Sequence, residues 1–266
     1  VSGGFRQNDT FWFIVATTEG KWYASDGNIT WYDITPGGGT FVGYNQATNI
    51  TEAWNGTIPF FNDSLNPPMF LPDEPGAVLQ AYSNTLYSGI DNIAYLSPTT
   101  QRLTFSTAYS TTPFVVGQRI LISNVDNYYN GIYTVTNCTT TYVDYIAIPG
   151  AAYPGGGSVS PAYSWNYNPN WKSYYANFMR LYSTPNVGCI LVAGNLTVTD
   201  ISDTQTIYPV TVQWSQAFGL NQAPLTWTPT ITNVANQLEV PLRGPALDAF
   251  PCNGQFFLCS YWDTVV

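Results

Sequence analysis

The sequence predicts an all-β protein, built as a jelly-roll-like sandwich with a second small β-barrel or sandwich module and a long Pro-rich arm. Period-two alternation and β-branched or aromatic runs recur from end to end. No segment carries a capped apolar stripe of helical period, so the only helical element expected is a turn near residues 171–178. Clusters of Gly, Asn, Asp and Pro separate the runs at short intervals, as tight β-connections require.

In chain order, residues 11–16 (FWFIVA), 21–24 (KWYA) and 29–34 (ITWYDI) read as short strands. Breaks at Glu19-Gly20, Asp26-Gly27 and Gly37-Gly38-Gly39 make residues 1–44 an N-terminal β-hairpin region. Residues 45–100 are expected to be an extended Pro-rich arm or loop region. Few periodic runs occur in 45–76, which holds Pro59, Pro67, Pro68, Pro72 and Pro75. A small β module follows over 101–160, with strands at 102–108, 119–125, 131–138, 142–148 and 157–163. Their spacing of roughly ten residues suits a small barrel or sandwich. Residues 161–266 form the C-terminal sandwich, opening with a Tyr-, Trp- and Asn-rich connector over 161–177. Its strands are expected at 178–183, 188–201, 206–214, 225–234, 237–244 and 255–262, with Pro209, Pro229 and Pro241 marking edges or bulges.

Charged residues make up only 9% of the chain, with 16 acids, 7 bases and no histidine. The net charge of -9 argues against a nucleic-acid partner, because phosphate binding needs clustered Lys and Arg. Without histidine there is no Ser-His-Asp triad, no Cys-His pair and no His-based zinc or haem site. The cysteines lack the close spacing of structural zinc, and neither Gly triplet ends in the G-K-[ST] of a phosphate loop. Paired carboxylates remain chemically possible. However, Asp26, Asp63, Asp73, Asp126 and Asp203 sit beside turns, and no calcium-loop pattern surrounds Asp200 with Asp203 or Asp73 with Glu74. No catalytic residue, cofactor or metal is therefore expected. No apolar stretch reaches the about 18 residues of a membrane span. The chain opens at Val1 without a basic, apolar leader, so a processed terminus and a missing initiator Met stay as alternatives.

Four cysteines permit three pairings; Cys252 and Cys259 are close enough in sequence for a local bridge, and buried free thiols are the alternative. Seven N-x-S/T sequons occur, of which the cluster Asn49, Asn55 and Asn62 gives the candidate glycosylation sites. Tyr128, Tyr129, Tyr163, Trp165, Tyr167 and Trp171 fall in turns or the connector, where core packing does not account for all of them. Tyr and Trp combine contact area with a polar tip, so these six are the candidate contact surface for subunits or for sugars, with packing between β regions as the alternative.

The stretch from Thr112 to Ser158 resembles a small β module that recurs in structural proteins of bacteriophages and large viruses. The likeness is carried by Gly117 before RILI, by YNGIYTV at 129–135 with its expected type I′ turn at Asn130-Gly131, and by Gly155-Gly156-Gly157 before the closing strand. WYASDGNITWYDI (22–34) is similar to strand–turn–strand units of tail and sialidase-like proteins through Ser25, Asp26, Gly27, Thr30 and Trp31, though with compressed spacing. The C-terminal third resembles viral jelly-roll capsid domains in general character. These resemblances imply a virion structural protein, a capsid, vertex or spike component on the virion surface or otherwise extracellular. Its expected partners are further copies of itself, neighbouring virion proteins and host glycans. A secreted carbohydrate-binding module or adhesin is the alternative, and a carboxylate glycosidase a third reading.

Overall fold

The computed structural model describes residues 1–6, 9–36, 44, 48–83, 88–148, 152–164, 171–184 and 188–266. Every regular element among them is a β-strand, as the sequence predicts. The chain divides into two compact units: a larger one of Val1–Thr35, Phe41–Tyr82 and Trp165–Val266, and a smaller one of Pro36–Thr40 and Ser83–Ser164. Regions 1–44, 45–100 and 161–266, read separately from the sequence, thus contribute mainly to one unit.

The larger unit begins with a four-stranded antiparallel meander, β1 (Ser2–Phe5), β2 (Phe11–Ala16), β3 (Trp22–Ser25) and β4 (Tyr32–Asp33). Gly20 and Gly27 take the positive φ that its tight turns need, 76° and 86°. A second meander follows: β5 (Thr51–Asn55), β6 (Ile58–Asn62), β7 (Met69–Phe70) and β8 (Gln80–Ala81). This is where the sequence predicts an extended arm, and the structure corrects that reading. Every residue of β6 is buried. A strand covered on both faces has no polar alternation to betray it. Pro59 sits within β6 opposite Trp54, and the other prolines of 45–76 lie in the connections.

Both meanders feed one core that includes Ile14, Trp22, Phe61, Met69 and Leu71. At its edge lies the buried Asp63. Its carboxylate accepts the Tyr44 hydroxyl (2.7 Å), the backbone N–H groups of Leu65 (3.0 Å) and Asn66 (2.8 Å), and the Asn66 amide (2.7 Å). The Trp22 indole N–H donates to the Tyr44 hydroxyl at 2.9 Å. Burial and the neighbouring Asp63 carboxylate push the Tyr44 phenol well above its ordinary range.

The smaller unit is a closed six-stranded barrel of β9 (Ser88–Ser97), β10 (Thr100–Phe105), β11 (Arg119–Ser123), β12 (Gly131–Cys138), β13 (Tyr142–Ile146) and β14 (Ser158–Pro161), ordered β10-β13-β12-β11-β14-β9. Alternate residues of its strands fill the interior, among them Leu103, Phe105, Ile120, Ile122 and Val143. One polar pair is buried with them. The Tyr145 hydroxyl donates to Gln101 Oε1 at 2.7 Å, and the Gln101 amide donates to the Ile148 carbonyl at 3.1 Å. A bulge after Val135 re-phases β12, leaving Thr136 and Asn137 exposed and turning Cys138 toward the core.

Two local readings of this module change. Strand β9, assigned to the arm by the sequence, closes the barrel. The type I′ turn at Asn130-Gly131 is absent, because neither residue has positive φ. Instead Asp126 organises the β11–β12 connection by accepting the backbone N–H groups of Tyr128 (2.9 Å) and Tyr129 (3.2 Å). The Gly155-Gly156-Gly157 bend is as expected, with φ of 95°, 78° and 87°. At Gly157 a Cβ would lie 3.0 Å from the Ser123 carbonyl oxygen, so glycine is needed there for space as well as conformation.

The rest of the larger unit is a meander of β15 (Trp171–Thr184), β16 (Gly188–Asp200), β17 (Gln205–Trp214) and β18 (Asn236–Glu239), then a three-stranded sheet of β19 (Asp248–Cys252), β20 (Gln255–Cys259) and β21 (Thr264–Val265). The helical turn expected near 171–178 is strand instead, because Tyr174, Ala176 and Phe178 are buried in alternation. The run 225–234 forms no named strand; its Trp227 is buried and meets Tyr82 edge-on at 6.1 Å. Pro209 lies in a bulge, where β16 and β17 slip register between Gly194 and Leu196. Phe178, Val192, Val212 and Leu258 belong to the core of these sheets. No helix among the described residues is long and apolar enough to cross a membrane.

Candidate interaction surface

The alternation in FWFIVA sends Ile14 into the core and leaves Phe11 and Phe13 on the outer face of β2, 39% and 43% exposed. The β1–β2 register sets Phe5, 60% exposed, directly opposite Phe11. The three rings meet edge-on, Phe5 to Phe11 at 5.2 Å and Phe11 to Phe13 at 5.1 Å. No charged side chain interrupts β1 or β2. A second aromatic cluster lies on the C-terminal sheet. Phe250 and Phe257 are register partners whose rings stack at 5.3 Å, and the neighbouring Tyr261 and Trp262 are largely exposed. Single exposed apolar side chains are ordinary on a protein surface, but contiguous sets mark contact sites.

The six aromatics singled out by the sequence do not form one platform. Tyr128 is exposed, whereas Tyr129 is 4% exposed, belongs to the barrel core and meets Tyr153 edge-on at 5.9 Å. Tyr129 is therefore a packing residue, a correction to its reading as contact surface. Tyr163 is half-buried and its carbonyl accepts the Ser83 N–H. Trp171 is half-buried against Tyr174 and Tyr208, at 4.9 Å and 5.8 Å. Trp165 and Tyr167 lie outside the described residues. The sequence reading missed Phe5, Phe11, Phe13 and Phe250. Alternation along β2 was the available signal, because a strand with one face in the core must turn Phe11 and Phe13 outward.

The glycosylation cluster is corrected at two positions. Asn62 is fully buried and its amide donates to the Ala176 carbonyl at 3.0 Å. Asn55 is 2% exposed and its amide is shared between the carbonyls of Gly219 (2.7 Å) and Gln222 (3.1 Å). Neither nitrogen has space for a glycan in this fold. Asn49 is exposed, with its amide on the Asn177 carbonyl at 3.1 Å.

All four cysteines are free thiols. In the β19–β20 hairpin Cys252 pairs with Gln255 and Cys259 with Asp248, so four residues of strand separate the two thiols. That spacing is about 13 Å, well beyond the Cα reach of a disulfide, so the local bridge does not form, and of the two free thiols Cys252 is exposed, not buried. Burial raises the pKa of the Cys138 thiol.

The turn carboxylates have ordinary structural partners. Asp200 accepts the backbone N–H groups of Ser202 (2.8 Å) and Thr204 (2.9 Å), and Asp203 pairs with Lys172. No group of three His, Cys, Asp or Glu that could hold a metal ion is found among the described residues. No protein-family model and no curated protein matches the chain.

Proposed function

We propose that the protein is a structural subunit of a virion-type assembly, a capsid, vertex or spike component that works by packing against neighbouring copies of itself. The observation that carries this reading is the exposed, uncharged ladder of Phe5, Phe11 and Phe13 on the outer face of β1 and β2. An aromatic face of this kind gains most when a partner desolvates it, since large apolar area is removed from water with little side-chain entropy to lose. The sparse charge supports the same reading: with only 9% charged residues, little desolvation of ions opposes close packing of copies. The resemblance of residues 112–158 to a module of viral structural proteins gives the assembly its virion character.

Sedimentation of the purified protein over a wide concentration range tests the reading. Wild type should form a discrete oligomer, and Phe13→Glu should shift it to monomer while keeping the fold by circular dichroism. A wild-type protein that stays monomeric at every concentration, with no multimer in micrographs of its native particle, would sink the proposal.

A further inference from the structure

Among the described residues, the sheets of the larger unit end in β1, β4, β5, β8, β15, β18, β19 and β21. Natural sheets guard such edges by shortness, charge or proline, because unpaired backbone groups otherwise recruit a further strand. β4, β8 and β21 are two residues long. β5 carries Glu52, β15 carries Lys172 and Arg180, β18 carries Glu239, and β19 carries Asp248 and Pro251. β1 has none of these devices: its sequence SGGF holds no charge and no proline, and its register with β2 runs without a bulge.

The ladder fixes which backbone groups of β1 face outward. The Arg6 N–H donates to the Thr10 carbonyl at 3.0 Å, which continues the β1–β2 register as a hydrogen-bonded pair. Such pairs alternate in an antiparallel ladder, so Gly4 and Ser2 bond Trp12 and Ile14. The N–H and C=O groups of Gly3 and Phe5 therefore point away from β2. Among the described residues those groups have no hydrogen-bond partner, Gly3 is exposed, and Phe5 is 60% exposed.

The other face of β1 is clamped. The Trp54 indole N–H donates to the Ser2 hydroxyl at 3.1 Å, and a Cβ at Gly4 would lie only 2.6 Å from the Trp54 ring. Arg6, next along the chain, donates to the carbonyls of Leu71 (3.2 Å) and Pro72, and its Nε lies 3.0 Å from Asp73. An edge already fixed as a strand loses little further freedom when another strand joins it.

We propose that β1 pairs antiparallel with β1 of a second copy across a two-fold axis, joining their N-terminal meanders into one continuous sheet. This deepens the assembly reading and rests on it. Charge and register select a second copy as the occupant. At a net charge of -9 the copies repel one another, and β1 is an edge on which a copy meets no like charge. Placing Gly4 opposite Gly4 on the axis sets Gly3 of each copy opposite Phe5 of the other, so that both outward residues of β1 exchange their N–H and C=O bonds. The pleat then keeps Phe5, Phe11 and Phe13 of both copies on one face, with each Phe5 ring beside the bare Gly3 of its neighbour.

Amide exchange, read residue by residue against protein concentration, tests the pairing. Ser2 and Gly4 bond β2 within one copy and serve as the protected reference. Gly3 and Phe5 should exchange freely in dilute protein and slow by about tenfold or more once the oligomer forms, while staying fast in Phe13→Glu. Gly3→Pro removes an outward N–H without costing a bond to β2. Gly3→Ala is its control, since both substitutions place a Cβ against the Phe11 ring. The proline variant should associate about tenfold more weakly than the alanine variant, because one hydrogen bond is lost from each copy. Thermal melts check both variants, and wild-type exchange carries the test if either misfolds. An oligomer whose Gly3 and Phe5 still exchange freely, or equal association of the two variants, would overturn the edge pairing and leave the assembly reading standing. Full protection of Gly3 and Phe5 in dilute monomer would place another part of the chain on this edge and would also overturn it. A protein that stays monomeric at every concentration would sink both.

Discussion

In the barrel every strand has a ladder partner on both sides, whereas the larger unit is built from open sheets whose end strands, such as β1 and β18, pair on one side only among the described residues. Both units bury aromatic rings, but among the described residues only in the larger one do exposed phenylalanines gather against other rings. In the barrel Phe105, Phe114 and Tyr145 are buried and lie in one core. In the larger unit Phe5, Phe11, Phe13 and Phe250 pack against other rings while remaining open to solvent. Closure removes the edges through which sheets associate, and an open sheet with an apolar outer face keeps that capacity. Within one sparsely charged chain, the barrel has no open sheet edge and the larger unit keeps several.

The largest expected effects come from cutting each core. Leu103→Ala in the barrel and Phe61→Ala in the larger unit should each cost about 3–5 kcal/mol, measured by chemical denaturation. Two separate transitions, each shifted only by its own substitution, would sharpen the comparison. One common transition shifted equally by both would break it.

Alkaline pH should act next, and on both units. Burial raises the phenol pKa of Tyr145 in the barrel and of Tyr44 in the larger unit. A folded pKa above the unfolded value of about 10 means stability that is fully present below pH 10 and drains as pH climbs through the folded values. Tyrosinate absorbance followed alongside circular dichroism should show these phenols ionising only as structure is lost. Full ionisation of every tyrosine with the fold intact would contradict the assignment.

Arg102→Ala should cost about 2 kcal/mol, because it leaves Asp144 nearly buried without its bidentate partner (2.7 and 2.9 Å) and removes the cation 3.7 Å above the Tyr142 ring. Phe13→Glu should cost no more than about 1.5 kcal/mol of stability while abolishing association, since its ring is 43% exposed and gives up mainly an edge contact with Phe11. A large loss of stability in that variant would show the ladder to be core and not surface.

The barrel was largely legible because RILIS buries Ile120 and Ile122 in alternation and YVDYI turns Val143 and Tyr145 inward, although Asp144 between them is also buried, by its pairing with Arg102. The meander of β5 to β8 was not, because IPFFN is buried throughout and proline masks its strand character. The same difficulty hid β9, whose buried Ile90 and Ile93 are three residues apart, and its pairing with β10 slips register at Phe105. A pocket of the larger unit joins Arg6, Trp31 and Asp73, which no local pattern connects; only the fold of two meanders around one core does so. Cys252 and Cys259 taught the opposite lesson, since nearness in sequence is undone by a hairpin register that carries one thiol to the turn and the other to the far end.

Ser83 and Ser164, which open and close the main stretch of the barrel, form a bridge with each other, and the Ser83 N–H donates to the Tyr163 carbonyl at 3.1 Å. To the rest of the chain, then, the long excursion from one serine to the other is a detour that returns to its own starting point. The bridge is parallel, so the chain leaves beside the point where it entered and in the same direction, and joining the two serines directly would take a crossover and not a tight turn.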